Sequence, residues 1–213
     1  MDILEIMRKR HSVRQYKNQA IEPLKREEIN LLIKAVNAES KMSIQAFYDE
    51  PECFDSFMAH YGKFENVKNY IAIVGNKNEQ EKAGYYGEKI VLKCQELGLN
   101  TCWVAMTHGK SKAEIKKGQK LLIIISLGYG KTQGVPHKSK SISELSRTDE
   151  VAEWFETGME AVKLAPTAVN QQKFLFELKN GIVTAKNLGG FYSKIDLGIV
   201  KYHFEAVTGH EVK

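Results

Sequence analysis

Helical spacing of apolar residues marks five stretches of the chain. Between residues 27 and 38, apolar side chains recur three and four positions apart, which predicts a core helix with one buried stripe. The same spacing predicts a short helix over residues 1–9, a central helix over 84–98 and a last helix over 195–207. A fifth helix is predicted after Thr148, which can cap it, with Val151 on its buried face and Pro166 just past its end.

Short apolar runs predict the strands. We expect strands at residues 70–74, 101–105 and 121–127, and a hairpin formed by 174–178 and 182–185 around Asn180-Gly181, a pair typical of a type I′ turn. Residues 39–63 have weak periodicity, with part of 54–58 predicted helical, and 112–119 is predicted to form a basic helical turn. The elements together predict an α+β fold with a mixed or antiparallel sheet flanked by helices.

A segment rich in Lys, Ser and Gly, residues 131–146, divides the chain. We therefore predict a first half over 1–135, a linker over 136–147 and a shorter second half over 148–213, the two halves sharing one core. Both halves run helix, loop, strand region and a helix ended by glycine. The repeat is either a true duplication, giving two pseudo-symmetric halves like a fused dimer, or a coincidence between two α+β stretches.

Composition narrows the class of protein. The net charge of +5 comes from 31 basic and 26 acidic residues that are mixed along the chain, which suits an anionic small molecule better than nucleic acid. With no apolar run long enough for a membrane span and no secretory leader in the first residues, we expect a cytoplasmic protein. The cysteines and histidines lack metal-ligand spacing, so no metal site is expected.

Three polar clusters are candidates for chemistry. The loop Ala165–Gln172 combines Pro166 with three amide side chains, although an ordinary turn after a helix would explain it too. Arg10, Ser12 and Arg14 suit a phosphate and a second electron-rich group. The run 137–140 is a second basic cluster, or simply a solvated linker. Paired carboxylates, a Ser/His/Asp order and a Gly-rich phosphate loop are missing, which favours a cofactor with its own reactivity.

Four motifs resemble those of the FMN-dependent nitroreductase family. They are Arg10-His11-Ser12-Val13-Arg14, Leu97-Gly98-Leu99-Asn100-Thr101-Cys102-Trp103-Val104, Leu127-Gly128-Tyr129 and the loop Ala165–Gln172. In typical members that loop follows the first motif closely and is donated across the dimer interface, whereas here it lies after the linker. This order is similar to that of single-chain, internally duplicated nitroreductases.

The resemblance implies a nitroreductase-like fold and one FMN per chain, bound by residues from both halves. The cofactor-binding residues that it implies are Arg10, His11, Ser12, Arg14, Ala105, Met106, Lys138, Lys140, Thr167, Asn170 and Gln172. Arg14 would tune the flavin, and no side chain would itself be catalytic. The second site that two pseudo-symmetric halves would create would be non-functional, since the first half has Glu39-Ser40-Lys41 in place of the loop.

The implied reaction is ping-pong transfer of hydride from NADH or NADPH through flavin N5 to a small electron acceptor such as a nitroaromatic or quinone. No nucleic-acid or membrane partner is implied, and the chain would be a pseudo-dimeric monomer, with a homodimer as the alternative. Lys173-Phe174 replaces the family's Pro-Trp, and Lys89 stands where an Asn is common. These departures leave open a flavin-binding or sequestering protein without significant turnover.

Overall fold

The computed structural model describes residues 2–213, so the first residue of the predicted N-terminal helix lies outside it. The helices are α1 (Ile3–Lys9), α2 (Pro23–Ser40), α3 (Phe57–Tyr61), α4 (Gln80–Glu96), α5 (Ile142–Leu145), α6 (Glu153–Val162) and α7 (Ser193–Thr208). The strands are β1 (Ser43–Phe47), β2 (Asn69–Gly75), β3 (Asn100–Val104), β4 (Lys120–Gly128), β5 (Ser146–Thr148), β6 (Phe174–Lys179) and β7 (Ile182–Asn187). Two 3₁₀ turns lie at Glu52–Phe54 and Ala168–Asn170. No helix within residues 2–213 has the length and apolar character needed to cross a membrane.

An antiparallel sheet in the order β1-β2-β4-β3 forms the centre of the molecule. Its middle strands β2 and β4 pair so that Ile71 lies opposite Ile125, and every residue of β2 is buried. The continuous apolar runs of these strands reflect this burial on both faces. The predicted α+β fold, an antiparallel sheet flanked by helices, is confirmed.

A second, three-stranded sheet follows in the order β5-β6-β7, with β5 parallel to β6 and the hairpin β6-β7 antiparallel. Asn180 and Gly181 both have positive φ, 53° and 70°, as the predicted type I′ turn requires. The two sheets differ in strand number and in pairing, and the internal duplication stays a prediction.

Helices α4 and α7 cross at two glycines. A Cβ added to Gly84 would lie 2.0 Å from the carbonyl oxygen of Ile195, and one added to Gly198 would lie 1.8 Å from that of Glu81. Backbone therefore packs directly on backbone, which no larger residue would allow. This crossing joins a helix of the N-terminal part of the chain to the last helix.

One hydrophobic core extends through both parts of the chain. Its largest cluster contains Ile29 and Ile73 from the first part together with Phe155, Phe176 and Phe204 from the second. The domain boundaries that we predicted from the linker stay a prediction, because a shared core does not mark where one half ends.

Local predictions failed in three places, each time because of contacts distant in sequence. Residues 112–119 form no helix; the Glu114 amide instead donates to the side chain of Gln45. Thr148 pairs with Leu178 in β5-β6 rather than capping α6, and Val151 is fully exposed. Strands β1 and β5 were not predicted, because they have only five and three residues and form by pairing with β2 and β6.

Candidate functional site

Two adjoining cavities lie between the segment after α1 and the loop after α6. The first, of about 250 Å³, is lined by Arg10, His11, Ser12, Arg14, Val135, His137, Pro166, Thr167, Val169 and Asn170. The second, of about 110 Å³, is lined by Ser12, Arg14, Cys102, Trp103, Ala105, Ile123, Pro166, Thr167, Ala168, Val169, Tyr192, Ile195, Asp196 and Ile199. Five lining residues are common to both, so the cavities form one cleft. A wider depression along α2, of about 680 Å³, is open and has charges of both signs on its lining.

The segment from residue 10 to residue 16 is fixed against the sheet. Its Val13 amide donates to the Thr101 carbonyl at 3.0 Å, and Ser12 forms a parallel bridge with Thr101. Tyr16 is buried, and its hydroxyl donates to the Val13 carbonyl at 2.7 Å. Because side chains alternate along extended backbone, burying Val13 turns Ser12 and Arg14 into the cleft.

Arg10 is held by a buried network at the back of the cleft. Its guanidinium is 3% exposed, with Nε 3.9 Å from Oε1 of the fully buried Glu88. Trp103 Nε1 donates to Glu88 at 3.0 Å, and His203 Nε2 lies 3.0 Å from the same carboxylate. Arg10 Nε itself has no hydrogen-bond partner among the described residues. A buried arginine whose Nε–H has no partner suggests a site that an anion completes.

The first cavity is lined by basic groups alone among the titratable side chains. Arg10, His11, Arg14 and His137 all line it, and no carboxylate does. Burial lowers the pKa of His11, with a further contribution from the charge of Arg10. Burial likewise lowers the pKa of His137. Both imidazoles are therefore neutral near neutral pH, and the two guanidiniums give the cavity its positive charge.

The loop after α6 has a strained backbone. Val169, Asn170 and Gln172 have positive φ values of 46°, 55° and 46°, and Val169 is β-branched, a residue type that rarely adopts this conformation. Val169 is also 84% exposed although it lines both cavities. Such strain persists only where the surroundings fix it and is found at binding sites.

Asp196 of α7 fixes this loop. Its carboxylate accepts from the Ala168 amide at 2.9 Å and from Gln171 Nε2 at 2.7 Å. Burial raises the pKa of Asp196 to about 6, and the two hydrogen bonds oppose that rise. The loop therefore rests on a carboxyl group that titrates just below neutral pH.

Gln172 connects the loop to the linker. It is buried, its Oε1 accepts from the Lys140 amide at 2.8 Å, and its Nε2 donates to the Lys138 carbonyl at 3.0 Å. The ammonium of Lys140 donates to the Gln172 carbonyl at 3.1 Å. Asn170 donates to the Lys138 carbonyl as well, at 2.9 Å. The linker and the loop are thus joined by side chain to backbone hydrogen bonds.

The structure brings most of the predicted site residues together. Those that line the cleft are Arg10, His11, Ser12, Arg14, Ala105, Thr167 and Asn170. Those that do not line it are Met106, Lys138, Lys140 and Gln172. The expectation that Ala165–Gln172 lies beside Arg10 and Arg14 is met, since both segments line one cavity.

Sequence reasoning gave no role to several residues of the cleft. Asp196, Tyr192 and the pair Glu88–His203 were not singled out. Asp196 is the one polar residue in the apolar run 195–200 of α7, a position where a buried carboxyl group could have been suspected. Glu88 and His203 lie 115 residues apart, so nothing local indicates their contact.

Comparison with known proteins agrees with this architecture. The chain is similar over 97% of its length to a "putative nitroreductase" of Thermotoga maritima, with 24% identity, 83% of that chain covered and a TM-score of 0.72. A "putative nitroreductase in complex with FMN" of Desulfovibrio desulfuricans matches 68% of this chain and 95% of its own, at 15% identity and a TM-score of 0.53. A "Putative NADH Oxidase" of Clostridium acetobutylicum matches 68% of this chain and 99% of its own, at 17% identity and a TM-score of 0.50. No curated protein matches the chain.

The family comparison covers nearly the whole sequence. The model of the family described as "Putative TM nitroreductase" matches residues 2–208. That range includes both walls of the cleft and the helices α4 and α7 behind it. The chain therefore belongs to this nitroreductase family.

Proposed function

We propose that this protein is an FMN-dependent oxidoreductase that passes hydride from NADH or NADPH to a nitroaromatic, a quinone or a similar acceptor by a ping-pong mechanism. The observation that carries the proposal is the first cavity, where two arginines and two histidines meet without a carboxylate. A phosphate monoester is the anion that the two guanidiniums suit. Membership of a nitroreductase family, and the FMN in the Desulfovibrio structure, support a flavin as the bearer of that phosphate.

The residues present fit FMN. The unpartnered Nε of Arg10 offers a buried donor, and His11, Ser12 and Asn170 add polar groups around the same cavity. The adjoining cavity is lined mainly by apolar and aromatic side chains, including Trp103 and Tyr192, which suit a planar ring. Arg10, His11, Ser12 and Asn170 would hold the phosphate, while Arg14, Ala105 and Thr167 would line the ring.

When bound, FMN would supply the hydride chemistry through its N5 atom, alternately taking hydride from the nicotinamide and giving it to the acceptor. The protein would bind and orient the flavin and give the site its positive charge. Arg14 lines both cavities and forms no ion pair with another described residue, so its full charge would favour an anionic ligand there.

We also propose one flavin per chain. The cleft takes one wall from residues 10–14 and the other from 166–170, so a single chain supplies both. At the corresponding place in the first part of the chain, the Glu39 carboxylate accepts from Tyr86 and pairs with Lys89. A carboxylate there would oppose a second phosphate.

Flavin stoichiometry tests the proposal most directly. We expect apoprotein to bind one FMN per chain, and NADH or NADPH to reduce the bound flavin until a nitro compound or quinone reoxidises it. Two flavins per chain would contradict the single-site proposal, and failure to bind any flavin would contradict the function. Tight FMN binding without NAD(P)H oxidation would identify the alternative, a flavin-binding protein without turnover.

Replacement of Arg14 tests its charge. We expect Arg14→Ala to weaken FMN binding and to lower the reduction potential of the bound flavin, because a cation stabilises the anionic reduced form. Arg8→Ala is the matched control, since Arg8 is exposed on α1 and lines neither cavity. Spectroelectrochemical titration measures the potential, and a value equal to that of the unsubstituted protein would refute the role.

A further inference from the structure

His137 occupies the position in the cleft where the sequence suggests a lysine. Its imidazole lines the first cavity, whereas the neighbouring Lys138 and Lys140 do not. The Lys138 carbonyl is used by Asn170 and Gln172, and the ammonium of Lys140 donates to the Gln172 carbonyl. The linker therefore presents an imidazole, and not an ammonium, to the anion site.

Hydrogen bonding fixes which ring nitrogen of His137 carries the proton. Nε2 lies 3.0 Å from the carbonyl oxygen of Lys163 at the end of α6, and the hydroxyl of Ser139 donates to the same oxygen at 2.8 Å. A carbonyl oxygen only accepts, so Nε2 must be the protonated nitrogen. Nδ1 has no hydrogen-bond partner within residues 2–213.

A neutral imidazole held this way cannot bind an anion. Its Nδ1 offers a lone pair, which repels a phosphate oxygen, and becomes a donor only when it takes up a proton. Burial lowers the pKa of His137, the hydrogen bond to the Lys163 carbonyl opposes this, and the charge of Arg10 lowers it further. Without an anion the imidazole is therefore neutral near neutral pH.

The other charged groups around His137 favour this neutral state. Arg10, His11 and Arg14 face the cavity from the segment after α1, and His203 approaches from α7. Glu88 on α4, the carboxylate beside Arg10 and His203, is fully buried and already accepts from Trp103 and His203. Asn170, from the loop after α6, is uncharged. A phosphate dianion in the cavity would instead favour the protonated imidazole, since no carboxylate lines that cavity.

We propose that His137 is a phosphate ligand that takes up a proton from solvent at Nδ1 as the anion binds, so that the cleft binds a phosphate monoester together with a proton. The inference rests on the proposed function in taking FMN as that monoester. Binding then tightens as the pH falls towards the range in which imidazole is charged. Lys138 and Lys140 act only by fastening the linker to the loop.

Calorimetry can count the proton. FMN is titrated into apoprotein near neutral pH, where a phosphate monoester is mostly dianionic, in two buffers of different ionisation enthalpy. We expect net proton uptake, tighter binding at lower pH, and no uptake with riboflavin, which lacks the phosphate. Binding of FMN without proton uptake would overturn the inference while leaving the proposed function in place.

A matched pair of variants assigns the proton to His137. His137→Gln keeps an N–H group for the Lys163 carbonyl but has no group that can take up a proton. We expect its affinity for FMN to fall about tenfold to a hundredfold, as for the loss of a hydrogen bond to a charged group. We also expect proton uptake on binding to fall. Lys138→Gln should leave both unchanged. Loss of affinity in Lys138→Gln, with His137→Gln unaffected, would overturn the assignment.

Inorganic phosphate separates the two proposals. If phosphate binds with proton uptake but FMN does not bind, the flavin function fails and the role of His137 stands. If FMN binds and His137→Gln changes neither affinity nor proton uptake, only the role of His137 fails. If neither ligand binds, both proposals fail.

Discussion

At the scale of single residues, the cleft depends on a few buried charged groups whose partners come from distant parts of the chain. Glu88 contacts Arg10 after α1, Trp103 on β3 and His203 on α7. Asp196 reaches back from α7 to the loop after α6. These groups position the lining of the cleft, and each gives a measurable prediction.

Removing Glu88 should cost far more than removing an exposed glutamate. In Glu88→Ala, Trp103 and His203 lose their shared hydrogen-bond partner and the buried Arg10 loses its ion pair, so we expect the free energy of unfolding to fall by about 3–5 kcal/mol. Urea titration measures the change. Glu96→Ala on the same helix is the control, because its ion pair with Lys93 is exposed and should contribute less than about 1 kcal/mol. Equal losses would show that the buried network adds nothing to stability.

Asp196 should give stability a characteristic pH dependence. Its folded-state pKa of about 6 exceeds the usual value of 3.8 for an aspartate, so between these pH values the folded state holds a proton that the unfolded chain has released. The contribution of Asp196 to the free energy of unfolding is therefore greatest at low pH. It falls by about 3 kcal/mol in total as the pH rises to about 6. We expect Asp196→Asn to remove this fall from the pH profile of unfolding.

The exposed Asp149 supplies the control for that measurement. Asp149→Asn should leave the profile unchanged, so the difference between the two variants isolates Asp196. A difference that stays constant with pH would mean that burial does not shift the titration of Asp196.

At the scale of secondary-structure elements, the crossing of α4 and α7 is the contact least tolerant of change. We expect Gly198→Ala to destabilise the protein by at least about 1–3 kcal/mol, because the added methyl group would overlap the Glu81 carbonyl. Helix propensity alone would predict the opposite sign, a gain of about 1 kcal/mol. Thermal unfolding decides between them, with Lys194→Ala at an exposed position of α7 as control.

Elements could be predicted from sequence where one local pattern dominated. Regular apolar spacing located α2, α4 and α7, the apolar runs located β2 and β4, and Asn180-Gly181 located the hairpin turn. Thr148 and Lys112–Gln119 were misassigned because strand pairing and a contact with Gln45 override local propensity. In the cleft, motif residues such as Arg10 and Thr167 were found, whereas Asp196 and the contact between Glu88 and His203 depend on folding.

At the scale of the whole molecule, the shared core implies that the two parts unfold together. The two tryptophans report on different parts, since Trp103 lies in β3 and Trp154 in α6. We expect Trp103→Phe and Trp154→Phe, each with one remaining tryptophan, to show tryptophan fluorescence transitions in urea that coincide with the loss of helical circular dichroism. Separate midpoints for fluorescence and circular dichroism would instead show two independently stable units.

The placement of the two walls of the cleft has a consequence during synthesis. Residues 10–14 leave the ribosome before 166–170 and before the α7 carboxylate that fixes them. Domains fold as units, and both parts share one core, so neither that core nor the pocket is complete until α7 has emerged. A nascent chain therefore offers no complete pocket to a cofactor until α7 has been translated. A message truncated before α6 would yield a fragment that lacks the second wall of the cleft.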